Sequence, residues 1–171
     1  MNDVIVREAK LDDATGIAKV HVHTWQNAYL GLIPDLYLQG LRVEQRTSAW
    51  RKIIENSLPP MHTLVAELEG EIIGFIGIGA RQDAGRECQG EVFAIYVRPE
   101  IQGRGIGSAL MREGLRTLKK ENFHSAVLWV LDGNLLTRSW YESRGWKTDG
   151  ETKIDRREEF ELTEIRYQIN L

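Results

Sequence analysis

The sequence contains very little cysteine: Cys88 is the one cysteine among its 171 residues. A single cysteine cannot form an intrachain disulfide, which fits a reducing compartment, and we expect a cytoplasmic location. No uninterrupted apolar run approaches the roughly 18 residues of a membrane span, so the sequence predicts no membrane partner. Residues 1–7 also lack the apolar core of a secretory signal peptide.

An excess of charge of one sign is lacking too, because 22 Lys and Arg against 25 Asp and Glu give a formal net charge of −3. A mildly acidic chain binds the phosphate backbone poorly, so we expect no nucleic-acid partner. Hydrophobic residues make up 42% and charged residues 27%, which excludes a disordered chain. We expect one domain spanning residues 1–171, long enough to bury a core without disulfides.

Hydrophobic periodicity predicts strands and helices in a mixed order. Apolar and β-branched runs predict strands at residues 4–7, 63–68, 71–80, 92–97, 126–131, 146–153 and 160–169. Helical spacing predicts helices at residues 12–25, 36–54, 106–118 and 135–143, the last capped by Asn134 and ended by Gly145. Residues 81–90 are polar and predict a flexible loop. The strand–helix–strand unit over 92–131 predicts an α/β sheet with a parallel pair and a right-handed crossover.

A glycine-rich segment joins the predicted strand 92–97 to the helix that follows it. Gly103, Gly105 and Gly107 stand at alternate positions, and Arg98 and Arg104 lie beside them in sequence. Glycine permits positive φ and lets a ligand approach the main chain closely. The N–H groups at the start of a helix favour an anion. The segment therefore predicts a phosphate or pyrophosphate site.

Three phosphate-binding patterns compare differently with this segment. A P-loop needs Gly-Lys-Ser/Thr, and no such lysine is present. The dinucleotide pattern G-x-G-x-x-G is met at Gly103 and Gly105, but Ser108 replaces the third glycine, which leaves an oxidoreductase as a weaker alternative. The pattern Gln/Arg-x-x-Gly-x-Gly/Ala is met in every fixed position, at Gln102, Gly105 and Gly107.

The last pattern, placed between this strand and this helix, resembles the GCN5-related N-acetyltransferase (GNAT) superfamily. A second stretch resembles the family's Asn…Tyr-Glu-x-x-Gly-aromatic segment, with Asn134, Leu135, Trp140, Tyr141, Glu142, Gly145 and Trp146. The resemblance is most specific over residues 91–146, and the order of elements extends it over nearly all of the chain. It implies the GNAT fold, a mixed central sheet of about six or seven strands flanked by about four helices.

The resemblance implies acetyl-CoA as co-substrate and a primary amine, of a small molecule or a peptide, as acceptor, with no metal. The pyrophosphate would lie on Gln102, Gly103, Arg104, Gly105, Ile106, Gly107 and Ser108. The pantetheine arm would pair with the main chain of Ile95, Tyr96 and Val97 and receive a hydrogen bond from Asn134. Asn134 and Tyr141 are seven residues apart, which places them on one helix face about 10 Å apart along the axis. The resemblance also leaves room for a homodimer.

Amide formation from a thioester requires a base for the amine and an acid for the leaving thiolate. A phenol with a pKa of about 10 can donate to a thiolate whose thiol has a pKa of about 8.5, so Tyr141, where the family has its usual tyrosine, is the candidate acid. Glu91 or an ordered water is the candidate base, and Trp25 and Tyr29 are candidate walls of the acceptor pocket. The alternative is a CoA or acyl-CoA-binding sensor or interaction module without catalysis.

Overall fold

The computed structural model describes residues 3–81 and 89–171. Its strands are β1 (Ile5–Glu8), β2 (His62–Leu68), β3 (Glu71–Ala80), β4 (Gln89–Val97), β5 (Ser125–Leu131), β6 (Lys147–Arg156) and β7 (Glu161–Asn170). Its helices are α1 (Ala14–Ala28), α2 (Asp35–Gly40), α3 (Val43–Glu55), α4 (Ile106–Lys120) and α5 (Leu135–Glu142). Cys88 and most of the predicted polar loop lie outside the described residues. None of the described helices is long and apolar enough to span a bilayer.

One seven-stranded sheet, in the order β1-β2-β3-β4-β5-β7-β6, organises the molecule. All neighbouring strands are antiparallel except β4 and β5, which are parallel and are connected through α4, as the sequence predicts. The mixed α/β architecture and the strand count are therefore confirmed.

Helices cover both faces of the sheet and bury two apolar clusters. On one face α4 packs against β2, β3 and β4, and its apolar stripe includes the fully buried Leu110 and Leu118. On the other face α1 and α3 pack together, and Ile17 and Trp50 bury against Phe75 of β3. A Cβ added at Gly16 of α1 would lie 2.8 Å from the Cβ of Ile72, so glycine allows α1 to approach β3 closely.

Two predicted boundaries are wrong. The predicted helix 36–54 is two helices, since Leu41 and Arg42 are extended with ψ of 132° and separate α2 from α3. Residues 3–81 and 89–171 thus form five α-helices, in line with the expected number of about four. Gln89 and Gly90 belong to β4, not to the loop, because they pair with Ser125 and Ala126 of β5. The charged residues over 36–54 suit one continuous helix, so the sequence does not predict the break at Leu41 and Arg42. Gln89 is polar, so the sequence does not predict that the strand begins there.

The parallel pair β4 and β5 stays together over only part of its length. Hydrogen-bonded register joins Gln89–Val92 of β4 to Ser125–Leu128 of β5 and then ends. Beyond that point β4 continues to pair with β3, and β5 continues to pair with β7. The two strands therefore separate, and a gap opens in the middle of the sheet.

Candidate active site

A cleft of about 510 Å³ occupies the gap between the separated ends of β4 and β5. Its walls come from five parts of the chain: the end of α1, the second half of β4, the end of β5, the inner face of α5, and the hairpin of β6 and β7. Predicted site residues that line it are Trp25, Tyr29, Ile95, Tyr96, Val97, Gln102, Asn134 and Tyr141. Glu91 and residues 103–108 are not part of this lining.

The edge of β4 that faces the cleft has free main-chain groups. In an antiparallel ladder the hydrogen-bonding direction alternates from residue to residue. Because the N–H of Arg98 donates to Ile73 of β3, alternation directs the main chain of Tyr96 to β3 and that of Ile95 and Val97 into the cleft. The Val97 carbonyl accepts from Gln102 Nε2 at 3.0 Å, so the groups of Ile95 and the N–H of Val97 remain for a ligand.

The glycine segment follows β4 and leads into α4. Gly103 and Gly105 have φ of 78° and 82°, and no atom of the described residues lies within 4 Å of a Cβ added at either, so both conformation and space suit a close ligand. Gly105 is the N-cap residue of α4 and has no side chain that could bond the N–H groups of the first turn. These groups and the helix dipole form a cradle for an anion.

Three arginines bear on this cradle, and the sequence predicted two of them, Arg98 and Arg104. Arg98 turns away and pairs with Glu71 at 2.9 Å. Arg104 is exposed within the segment. Arg144, which sequence reasoning missed, stacks 4.1 Å from the centre of the Trp140 ring, and its Nη2 donates to Ser108 Oγ at 2.9 Å. Arg144 is distant in sequence from the cradle, and only the packing of α5 beside α4 brings it there.

Helix α5 carries Asn134 and Tyr141 on its cleft-facing side. Asn134 begins the helix, and its Oδ1 accepts from the N–H of Thr137 at 3.3 Å. The helix ends in a Schellman motif, because Gly145 N–H donates to Glu142 and Trp146 N–H donates to Tyr141. Gly145 has φ of 86°, which confirms it as the predicted residue after the helix end. Both ends of α5 are thus fixed, and with them the two side chains.

Tyr141 is 6% exposed, and its hydroxyl has no hydrogen-bond partner among residues 3–81 and 89–171. Burial, followed by the nearby Tyr96 hydroxyl, raises the pKa of Tyr141 well above 10. The phenol is therefore protonated at neutral pH. It is also free to donate to a ligand, because it is not held by a backbone carbonyl.

Aromatic side chains form the wall opposite α5. The Tyr29 and Tyr96 hydroxyls are 3.5 Å apart, and the Trp25 ring packs against the Tyr29 ring at 5.0 Å. Burial raises the pKa of both tyrosines. Behind them the His21 ring stacks on Tyr96 and its Nδ1 accepts from the indole of Trp50 at 3.1 Å.

His21 is a neutral packing residue. Burial, with a smaller contribution from Arg46, lowers the pKa of His21 to about 4. His23, two residues further along α1, is exposed. Within the described parts of the chain, no group of three or more His, Cys, Asp or Glu is arranged to hold a metal ion.

Two carboxylates bear on the chemistry of the cleft. Glu91, the candidate base, lies in the paired part of β4 between Gly79 and Val127, before the strands separate. Glu164 of β7 lines the cleft directly. Sequence reasoning missed Glu164, because alternation along β7 cannot tell which face meets the cleft until the order β5-β7-β6 is known.

Comparisons with known proteins agree with this architecture. An uncharacterized N-acetyltransferase, YuaI of Bacillus subtilis, is 36% identical over 131 residues, which cover 77% of this chain and 73% of that protein. The N-acetyltransferase PaiA of Thermoplasma acidophilum, solved in complex with coenzyme A, has a TM-score of 0.78 at 19% identity and 99% coverage of both chains. YncA of Salmonella typhimurium, a putative acetyltransferase solved with acetyl-CoA, has a TM-score of 0.72 at 18% identity, covering 98% of this chain and 94% of that one.

The model of the acetyltransferase (GNAT) family matches residues 22–146, which include the second half of α1, the open edge of β4, the glycine segment and α5. The match takes in both motifs on which the resemblance was based, and the similar structures share the whole fold. This chain belongs to the GNAT family of acetyltransferases.

Proposed function

We propose that this protein transfers an acetyl group from acetyl-CoA to a primary amine. The observation that carries the proposal is the continuous path from the uncapped start of α4, along the open edge of β4, to the free hydroxyl of Tyr141. The path offers an anion cradle, strand-like hydrogen bonding and a proton donor in that order. The pyrophosphate, the amides of the pantetheine arm and the thioester sulfur of acetyl-CoA follow in the same order.

The donor fits the residues that are present. Gly103, Arg104 and Gly105 would hold the pyrophosphate with Ile106, Gly107 and Ser108 of the first turn of α4. The carbonyl of Ile95 and the N–H of Val97 would pair with the amides of the arm as an added strand does. Asn134 keeps its side-chain N–H groups available, since its Oδ1 alone is used by the helix. The structures of PaiA with coenzyme A and YncA with acetyl-CoA support this choice of donor.

The transfer needs one proton removed and one delivered. The amine nitrogen attacks the thioester carbonyl carbon, the carbon–sulfur bond breaks, and the amine's proton must leave. Tyr141 would donate to the sulfur as negative charge develops there. Because burial disfavours a tyrosinate, Tyr141 is best suited to a hydrogen bond that tightens as the thiolate forms. The N–H of Ile95 would donate to the carbonyl oxygen as it becomes an oxyanion.

Proton removal from the amine falls to an ordered water or to Glu91. Glu91 is outside the lining of the cleft, so it would act through water. Replacing Glu91 with Gln should then lower kcat and move the acidic limb of the pH–rate profile, while the affinity for acetyl-CoA stays within about threefold. An unchanged profile would leave the water as base.

Calorimetric titration with acetyl-CoA tests the donor site. We expect one-to-one binding of acetyl-CoA and none of NAD. Gly105→Glu should weaken acetyl-CoA binding at least about a hundredfold, because the side chain fills the cradle and repels phosphate. Gly150→Glu is the matched control, since Gly150 has φ of 81° and equally open space but lies in the β6 strand. Gly105→Ala introduces the same backbone strain without the bulk and charge of glutamate, so comparing the two variants separates strain from blockage of the cradle.

Thiol release from acetyl-CoA across a panel of primary amines tests the transfer itself. Release above the acceptor-free rate supports an acetyltransferase. Tight acetyl-CoA binding with no release for any amine would indicate the alternative, a CoA-binding module without catalysis. Saturable NAD binding without acetyl-CoA binding would overturn the proposal and favour a dinucleotide-binding oxidoreductase.

A further inference from the structure

The carbonyl of Val97 lies at the outer end of the open edge of β4, and two side chains of the protein already donate to it. Gln102 Nε2 donates at 3.0 Å and Thr24 Oγ1 donates at 3.3 Å. A carbonyl oxygen has two lone pairs, so these two donors use both. Thr24 is on α1 and is 4% exposed, whereas Gln102 belongs to the glycine segment, and both line the cleft. Two remote parts of the chain thus converge on one acceptor.

This double capping limits how a ligand can pair with β4. Of the two carbonyls at Ile95 and Val97, only that of Ile95 is open to a ligand, while Val97 offers its N–H. Pro99, the next residue in the alternating series, has no N–H to donate. In the opposite direction β4 and β5 rejoin at Val92 and Leu128, and the cleft ends there. A ligand that binds as an added strand therefore meets a short edge that is closed at both ends.

The register of such a ligand decides where its reactive end lies. A strand can slip along an edge in steps of two residues, because only alternate residues direct their main-chain groups to it. Two residues of a strand span about 7 Å. A ligand N–H that moved from the carbonyl of Ile95 to that of Val97 would carry the thioester about 7 Å toward the glycine segment. Proton donation by Tyr141 needs a contact of about 3 Å, so the slipped ligand could not react.

We propose that Thr24 and Gln102 are positioning residues that keep the donor arm in one register by occupying the Val97 carbonyl. The inference rests on the proposed acetyltransferase function, because the arm is that of acetyl-CoA. The pyrophosphate also anchors the arm, so the capping matters most for a donor without phosphate. Thr24 carries the test, since replacing Gln102 would disturb the glycine segment as well.

NMR chemical shifts of the Ile95 and Val97 carbonyl carbons report the register directly. Pantetheine, which has the arm and no phosphate, is titrated into protein labelled at these carbonyls. In the unmodified protein we expect the Ile95 carbonyl to respond and that of Val97 to stay unchanged. In Thr24→Val, which exchanges the hydroxyl for a methyl group, both should respond because one lone pair of Val97 is free. Thr24→Ser restores the hydroxyl and should restore the single response.

Turnover with two donors gives a second readout. Thr24→Val should lower kcat with S-acetylpantetheine about two- to tenfold, the effect of one competing hydrogen bond. KM should fall by the same factor, because slipped binding fills the site without reaction. With acetyl-CoA the fall in kcat should be several times smaller, since the phosphates oppose the slip. A purely structural loss would affect both donors alike.

Thr47→Val is the matched control for the loss of a threonine hydroxyl. Thr47 Oγ1 also donates to a main-chain carbonyl, that of Val43 in α3, at 2.8 Å. This bond lies within one helix and away from β4. The variant should therefore not distinguish S-acetylpantetheine from acetyl-CoA.

The outcomes separate this proposal from the proposed function. A response at Ile95 alone that extends to Val97 in Thr24→Val supports the positioning role, even if no amine is acetylated, a result that would overturn the transferase alone. Equal losses with both donors, or a Val97 carbonyl that responds equally in Thr24→Val and in the unmodified protein, would overturn the positioning role and leave the transferase in place. No response at Ile95 to pantetheine or to CoA would overturn the pairing of the arm with β4, and the positioning role with it.

Discussion

Replacing Tyr141 with Phe removes one hydroxyl from the cleft and breaks no hydrogen bond among the described residues. The hydroxyl has no partner among the described residues, and the ring packs between Trp140 and Trp146 at centroid distances of 5.3 and 6.1 Å. Phe keeps these ring contacts. We expect the free energy of unfolding at pH 7 to change by less than about 1 kcal/mol.

The effect on turnover should be much larger than the effect on stability. A positioned general acid contributes roughly 10²- to 10⁴-fold to a rate. At about 1.36 kcal/mol per factor of ten, the barrier should rise by about 3–5 kcal/mol. The affinity for acetyl-CoA should change less than about threefold, because the glycine segment and β4 carry most of the contacts.

The pH dependence of stability supplies a second readout for Tyr141. The raised pKa in the folded state means that the folded protein keeps this proton while the unfolded chain loses it near pH 10. The stability contributed by the protonated phenol is complete below pH 10 and is lost as the pH rises further. The unfolding free energy should thus fall more steeply above pH 10 in the unmodified protein than in Tyr141→Phe.

Steady-state kinetics, calorimetry and thermal unfolding of the one variant check all three expectations. A kcat within twofold of the unmodified protein would refute Tyr141 as the acid. Weakened acetyl-CoA binding with normal kcat would assign Tyr141 to donor binding.

Three further predictions concern the frame of the cleft. Gly16→Ala should destabilise the protein by about 1–3 kcal/mol, because the added Cβ would lie 2.8 Å from the side chain of Ile72. The melting temperature should fall by several degrees, and an unchanged melting temperature would show that α1 can shift away from β3. Asp13→Asn should lose stability at pH 7, because the hydrogen bonds from Arg7 lower the pKa of Asp13 in the folded state. The difference should shrink as the pH falls below the ordinary aspartate pKa and vanish below the lowered one, and urea unfolding across this pH range measures it. Arg144→Gln should weaken acetyl-CoA binding severalfold and reduce its salt dependence; equal salt dependence would place Arg144 outside the phosphate site.

Local patterns predicted the elements that border the cleft on the side of β4 and α4. The run 92–97, the alternate glycines and the helical spacing from Ile106 are all short-range signals, and each corresponds to an element of the structure. Gly145 is another local signal, since a Schellman motif needs only the residues around a helix end. Elements whose conformation depends on neighbouring residues can be predicted from the local sequence.

The acceptor side depends on contacts that are remote in sequence. Glu164 reaches the cleft because β7 lies between β5 and β6, and nothing in the alternating sequence of β7 fixes that order. Arg144 reaches Ser108 only through the packing of α5. Glu91, the candidate base, is the third residue of β4 and lies in the closed part of the sheet. The positions of these side chains depend on the strand order and the strand register, which the local sequence does not determine.

The separation of β4 from β5 also determines how the two halves of the molecule are coupled. Four paired residues on each strand join the part built on β1–β4 to the part built on β5–β7. A linear ligand with amides, lying in the gap, adds hydrogen bonds to the edge of β4 and contacts α5 on the far side. Such a ligand would connect the part of the sheet that contains β4 to the part that contains β5. Hydrogen exchange at Ile95 and Val97 should therefore slow on binding, and the two halves should then unfold at a common, higher temperature.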